Sequence, residues 1–406
     1  MTDSPLDAVI VGAGFCGLAA GASLAARGAE RFAILEQGSG VGHFWSTTYD
    51  RIHLHSGWHG LPHDGGLNDA YPMYKSRDQL LDYFRRYAER HRLTPHLRMG
   101  ARVERIARDE AAALWRLRTS EGELTARFLA VATGANRLPD LPALPEQATY
   151  QGALLHSSVY RNALPHRGQR VLVVGSGNSA AEIAVDLVEG GAQSVALLVR
   201  GPRAFIPKWR STLLFWLFRK LGAFSDAKVA ENHAITLGSA QFDAICAQRD
   251  KLGPLLTTDL SRYGIAPEGR VYSRQLKEGR IPVFDRGAIR AIRRGRIRVI
   301  DGNVRKLETL TPSGVRFSDG DESFDAIVLA TGFRAGLEEL FDDADALLAP
   351  QRGGRLLPLT DGRCRSSVHP SLFFPGFVPT VNGGLSLGLW GWEVGERIAD
   401  GLAART

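Results

Sequence analysis

The sequence predicts an α/β protein made of two Rossmann-like units, one interrupting the other. Three observations predict it. An apolar strand, a glycine turn and an Ala-rich helix open the chain at "DAVIVGAGFCGLAAGASLAARG". The pattern returns at "QRVLVVGSGNSAAEIAVDLVEGGA". Two further apolar strands, in "LAVATGANRLPDLP" and "AIVLATGFRAG", each end on Ala-Thr-Gly. A chain of 406 residues is also too long for one hydrophobic core, so two domains, or one split by another, are expected.

In the first unit the glycines are Gly12, Gly14 and Gly17. The first permits a tight turn, the second lets backbone approach a pyrophosphate, and the third lets helix pack on strand. The helix start, near Phe15, then turns its partial positive charge toward phosphate. The following strand, "RFAILEQ", ends in Glu36 and Gln37, at the roughly 20-residue interval where a carboxylate accepts ribose hydroxyls. An acid there, close to the N-terminus, favours FAD. Val103 and the Thr133–Gly134 turn join the FAD-side candidates; small residues at such a turn let the chain change direction beside a cofactor.

In the second unit Gly175 and Gly177 match and Ala180 replaces the third glycine. Asn178 and Ser179 are expected to meet phosphates by side chain or backbone. The next strand ends in Arg200 where a carboxylate would stand for NADH, and Lys208 follows. A guanidinium clamps a 2′-phosphate that a carboxylate would repel, so NADPH is expected. Thr331 and Gly332 close the second Ala-Thr-Gly strand, which is expected to return the chain to the FAD domain. The expected boundaries are 1–163 for the first part of an FAD domain, 164–281 for an NADPH domain with a helical insertion, and 282–406 for the rest of the FAD domain.

Composition excludes several classes. Apolar residues make 44% and charged residues 23%, ordinary for a soluble globular enzyme. The opening residues lack the basic and small-residue signature of a signal peptide. The longest apolar suspect, "LLFWLF" at 213–218, is far short of the ~18 residues of a membrane span. Three scattered cysteines, Cys16, Cys246 and Cys364, argue against a dithiol centre or a zinc site and fit a reducing cytoplasm. The net charge of +7 is spread out, with one denser patch, "RRGRIR", read as solvated surface. No nucleic-acid module is visible.

The stretch "YQGALLHSSVY" narrows the reading. Tyr150, Gly152, His156 and Tyr160 resemble the class B flavin-dependent monooxygenase fingerprint FxGxxxHxxxF/Y, with Tyr for the leading Phe. The Baeyer–Villiger version ends in Trp instead. "YPMYKSRDQLLDYFRRYAERHRL", "KLGPL", "IPVFDRGAIRAIRRGRIRVI", "VLATGF" and "LFFPGF" look like the YUCCA-like branch of flavin-containing monooxygenases. That resemblance implies FAD, NADPH as hydride donor, a small-molecule substrate, O2, and a C4a-(hydro)peroxyflavin that passes one oxygen to N, S or activated carbon. A Baeyer–Villiger or 2-oxo-acid-decarboxylating enzyme is the alternative within the class, and an NADPH oxidase or sensing flavoprotein the alternative outside it. A homodimer is allowed for.

The resemblance also places residues. The family's GGxW reads here "GHFW", so Gly42 and Trp45 are expected against the flavin. Many relatives carry Asn six residues after the tyrosine matched by Tyr49; this chain carries His55, taken as the catalytic candidate on the peroxyflavin and NADP⁺ side. Imidazole can donate or accept a hydrogen bond, and it titrates near neutrality. His53, His55, His59 and His63 crowd one short stretch, but a metal needs converging ligands, so none is expected. His156 is expected to join two segments by hydrogen bonds. The C-terminal helix, expected over 384–402, is implied to start under the flavin near Asn382 and Gly383. "STLLFWLFRKLGAF" is read as a helix packed between the domains, with a substrate-channel wall or a membrane-surface contact as alternatives.

Overall fold

A computed structural model describes residues 4–55, 60–221, 231–233, 235, 237–351, 355–379 and 386–405. The first unit is built from β1 (Leu6–Val11), α1 (Phe15–Ala26), β2 (Phe32–Glu36), α2 (Arg77–Arg90), β3 (Leu97–Met99), β4 (Val103–Asp109), β5 (Leu114–Thr119) and β6 (Gly122–Val131). Its sheet runs β3-β2-β1-β6-β5-β4. β1 pairs in parallel with β2 and β6, whereas β4, β5 and β6 form an antiparallel meander. The sequence pattern follows the pairing. β1, buried on both faces, is a continuous apolar run, while "LWRLRT" in β5 alternates buried and exposed residues.

α2 starts with a capping box: the Ser76 hydroxyl accepts from the Gln79 amide, and the Gln79 side chain accepts from the Ser76 amide. Its buried stripe is Leu80, Tyr83, Phe84, Tyr87 and Ala88.

The second unit is a five-stranded sheet with α3 (Asn178–Glu189) and α4 (Lys208–Lys220) among its connections. Its strands are β7 (Ala153–His156), β8 (Arg170–Val174), β9 (Ser194–Val199), β10 (Ile297–Asp301) and β11 (Ala326–Leu329), in the order β10-β9-β8-β11-β7. Every neighbouring pair is parallel. This corrects the expected boundaries. β7 precedes residue 164, and β10 and β11 follow residue 281, so both lines cut through one sheet. β11 does not return the chain to the first sheet; it sits between β8 and β7. A buried parallel strand is the same apolar run in either sheet, so its pattern cannot name its neighbours.

The return is made by β12 (Leu372–Phe373), which pairs with Leu129 and Ala130 of β6, and by α5 (Ser386–Ala403). α5 lies against α1 almost backbone to backbone. A Cβ on Gly391 would sit 2.1 Å from the Cys16 carbonyl oxygen, and one on Gly395 2.5 Å from that of Ala20.

The helix α4 departs from its expected burial. Trp209, Leu213 and Trp216 each keep more than half of their surface open. They line an apolar cavity of about 750 Å3 together with Met73, Pro207 and Thr212. Among the described residues no helix is long and apolar enough to cross a membrane.

Candidate active site

The first glycine turn shows three separate needs. Gly12 has φ +106°, and a Cβ there would lie 2.7 Å from the Ala132 carbonyl oxygen. A Cβ on Gly17 would lie 1.8 Å from the Gly12 carbonyl oxygen. Around Gly14 nothing comes within 4 Å of the Cβ position, so this stretch of backbone stands open. Phe15 begins α1 and is buried against Phe84. Glu36 ends β2 in a buried position; its Oε2 accepts from the Ala13 amide at 3.1 Å and its Oε1 from the Gly38 amide at 3.1 Å. Gln37 is the exposed residue after it. Val103 is a buried residue of β4. Thr133 carries a buried hydroxyl with no hydrogen-bond partner, and Gly134, at φ +76°, has open space around its Cβ position.

Gly42 has φ +70° and donates its N–H to the Ala13 carbonyl at 2.9 Å, tying its turn to the glycine loop. His43, in place of the family's second glycine, folds its ring onto Gly38, where a Cβ would come within 2.0 Å of it. Trp45 is half-buried and packs against the apolar clusters of both units.

The second turn repeats the design. Gly175 has φ +142°, and a Cβ there would meet the Ala330 carbonyl oxygen at 2.3 Å; at Gly177 nothing lies within 4 Å. The Asn178 side chain is already committed. Its Nδ2 donates to the Pro282 carbonyl at 2.9 Å and its Oδ1 accepts from the Phe284 amide at 2.8 Å, which leaves backbone for a phosphate. Ser179 faces the Tyr49 hydroxyl.

Arg200 directly follows β9 with its head exposed, and Lys208, also exposed, opens α4 at the rim of the apolar cavity. Sequence reasoning missed Arg203. It donates from Nε and an Nη to the Ser176 hydroxyl at 3.1 and 2.8 Å, in the turn itself. Burial, helped by Arg280, brings its guanidinium down to about 10.

The fingerprint stretch stitches the second sheet. A Cβ on Gly152 would lie 2.6 Å from the Asp325 carbonyl oxygen, and the Tyr150 hydroxyl donates to Phe324. The Ser158 amide donates to Nδ1 of His156 at 3.1 Å, so the proton sits on Nε2 and goes to the Gly332 carbonyl at 3.0 Å. His156 thus joins two segments, as expected. Tyr160 is buried and donates to Asp186 of α3. Thr331 donates to the Asp140 carbonyl, and Gly332 has φ +99° with open space where a Cβ would stand.

The histidine stretch divides. His53 is half-buried, with Nδ1 2.8 Å from the Arg51 carbonyl. His63 lies on the Trp392 ring at 4.1 Å. His59 falls outside the described residues, as do Asn382 and Gly383. His55 stacks parallel on Phe284, and its Nδ1 is 3.5 Å from a carboxylate oxygen of Glu182 on α3. Burial, reinforced by Arg286 and His53, brings its pKa down to about 3, so the ring is neutral. Glu182 was not anticipated. The signal was legible: one acid inside the Ala/Ile/Val face of α3, a turn after Asn178. Among the described residues no three His, Cys, Asp or Glu side chains converge as a metal would require.

The geometry fits two nucleotides. Gly14 and Gly177 leave backbone open at two helix starts, where amides and helix dipole favour phosphate. The orphaned Thr133 hydroxyl is a donor awaiting an acceptor beside the first turn. Trp45, Tyr49 and His55 carry the first unit to the helix that begins at the second turn. Such a molecule is an oxidoreductase of the two-nucleotide flavoprotein class.

Comparison with known proteins gives the family. Residues 9–220 match the family described as pyridine nucleotide-disulphide oxidoreductase. Indole-3-pyruvate monooxygenase YUCCA1 of Oryza sativa subsp. japonica is 36% identical over 84% of this chain and 80% of its own length. Indole-3-pyruvate monooxygenase YUCCA6 of Arabidopsis thaliana is 32% identical over 81% and 76%. In fold the chain is similar to a flavin-containing monooxygenase from Stenotrophomonas maltophilia, with TM-score 0.68, 20% identity and coverage of 99% of this chain and 100% of that one. It is similar also to cyclohexanone monooxygenase from Rhodococcus sp. Phi1 bound to NADP+, with TM-score 0.71, 19% identity and coverage of 99% and 85%. The chain belongs to the class B flavin monooxygenases, in their YUCCA-like branch. Disulphide chemistry has no counterpart here, since Cys16, Cys246 and Cys364 are all free and buried.

Proposed function

We propose that the chain is an NADPH- and O2-dependent monooxygenase that holds FAD on the first glycine turn and NADPH on the second. The observation that carries this reading is the pair of open turns, Gly14 and Gly177, joined through Trp45, Tyr49 and His55. Flavin reduced by the nicotinamide supplies the activation of O2. This chain's residues bind and orient. Glu36 lies where the FAD ribose is expected. Arg200 and Arg203, from the end of β9 onward, offer cationic heads for a 2′-phosphate. Lys208 borders the apolar cavity instead. Trp45 and the packed junction exclude water from the reacting region. No side chain is needed as a general base, because the oxygen donor is made before the substrate reacts. His55, neutral at working pH, holds a hydrogen bond to cofactor or substrate.

The curated relatives are named for indole-3-pyruvate, a 2-oxo acid, and this favours the decarboxylating variant for this chain. The balance is R–CO–CO2H + O2 + NADPH + H+ → R–CO2H + CO2 + H2O + NADP+. The cavity lined by Trp209 and Trp216 suits a substrate with an apolar body, and its lining also carries one cationic side chain, Lys208, and one carboxyl group, Asp285. The test is turnover with NADPH, indole-3-pyruvate as probe, and 18O2. One labelled oxygen in each acid product and one CO2 per NADPH is the expected result. Label recovered only in hydrogen peroxide, with the probe unchanged, would count against it.

A further inference from the structure

In "NSAAEIAVDL" one acid falls on the inward face of α3. Glu182 is 2% exposed; the Tyr49 hydroxyl faces its carboxyl group, but neither carboxyl oxygen has a partner at full hydrogen-bond geometry. Nδ1 of His55, 3.5 Å from Glu182 Oε1, is likewise buried and unpartnered. The His55 side chain still keeps 23% of its surface open, so the open part of the ring is not the edge that faces Glu182. The groups around the pair come from four places. Tyr49, Arg51 and His53 arrive from the first unit's connecting segment, and Arg286 from the segment after Phe284. Asp186 stands on α3 itself, and Lys208 on α4 faces His53.

We propose that Glu182 is the positioning residue for His55, and that its proton sets whether the outer edge of the His55 ring donates or accepts a hydrogen bond. The proposal rests on the reading of His55 as a residue that faces cofactor or substrate.

Burial pushes Glu182 up to about 8, with Arg286 the main counterweight, while the His55 ring stays neutral. Near neutrality the protonated acid therefore donates to Nδ1. The ring's single proton must then sit on Nε2, and the outer edge is a donor. When Glu182 loses its proton the arrangement reverses. The carboxylate accepts from Nδ1–H, and Nε2 becomes an acceptor. One proton leaves the pair and the ring is neutral in both states. The 3.5 Å separation is long for a hydrogen bond, which is common in such sites before ligands close them.

The histidine tautomer reads this without turnover. Protein carrying 15N-labelled histidine is titrated from about pH 6 to about pH 10, and the His55 signals are identified by their loss in His55→Gln. The expected result is Nε2–H at the acid end and Nδ1–H at the alkaline end, with no change of tautomer in Glu182→Gln. A wild-type ring that keeps one tautomer throughout, or a switch that persists in Glu182→Gln, overturns the proposal. In turnover, wild-type kcat is expected to fall at least about tenfold across an alkaline limb near pH 8, and Glu182→Gln to lack that limb. An unchanged limb in Glu182→Gln also overturns it. Should Glu182→Gln fail to fold, Glu182→Asp replaces it, and an unmoved midpoint there counts against the proposal. Wild-type protein that never couples NADPH to O2 would sink the functional reading alone, since the tautomer titration needs no cofactor.

Discussion

At the residue scale, the glycine turns separate folding from binding. Gly17→Ala forces a methyl group onto the Gly12 carbonyl, and backbone cannot yield as a side chain can. A loss of about 3 kcal/mol or more is expected, seen as a large drop in chemical or thermal midpoint. Gly14→Ala meets open space at an ordinary φ of −93°. It is expected to fold with wild-type stability and to lose bound flavin on purification. Equal stability loss in both variants would contradict the assignment.

His55 makes a second prediction, and its sign follows from burial. Its folded pKa of about 3 lies below the ordinary imidazole value of 6.5, so between those pH values the unfolded chain binds the extra proton. Its contribution to stability is present above the unfolded pKa and is lost as pH falls toward 3. His55→Gln should therefore flatten the acid side of a stability–pH curve, and an unchanged acid slope would show that the ring titrates normally. Both predictions rest on residues that sequence reading singled out. The motif glycines were legible because each is demanded by local backbone. Glu182 and Arg203 were not placed, because their partners, His55 and Ser176, are far away or lie across a turn.

At the element scale, α3 is the part that joins the units. Asn178 fixes its start to Pro282 and Phe284, and Tyr160 holds Asp186 two turns on. Asn178→Ala removes both amide bonds and is expected to cost about 1–3 kcal/mol. It should also raise KM for NADPH, because the turn that meets the phosphates loses its anchor. A raised KM at unchanged stability would show instead that the side chain meets the nucleotide directly. The sequence made α3 and its turn plain, since strand, turn and helix are contiguous. The neighbours of β11 were hidden, because its apolar run is equally at home in either sheet. α4 misled for the opposite reason: its apolar residues suggested burial, whereas Trp209, Leu213 and Trp216 stay open beside the cavity.

At the scale of the whole molecule, two nucleotide units are interleaved, with the second sheet drawn from residues 153–329. That interleaving keeps Trp45, Tyr49 and His55 in contact with the second unit's helix. Cofactor choice belongs to this scale. Arg200→Ala is expected to raise KM for NADPH about tenfold, or ~1.4 kcal/mol, with KM for NADH nearly unchanged; equal effects on both would remove Arg200 from the 2′-phosphate site.

On the proposed function, this one chain uses NADPH and O2 to oxygenate a substrate. The most direct test is anaerobic addition of NADPH to the purified flavoprotein, followed by rapid mixing with O2 and indole-3-pyruvate while flavin absorbance and products are followed. The expected result is bleaching of the flavin by NADPH, then recovery of its absorbance with one decarboxylated acid formed per flavin. Bleaching followed by recovery with stoichiometric hydrogen peroxide and intact probe, for this and other oxygen acceptors, would contradict it.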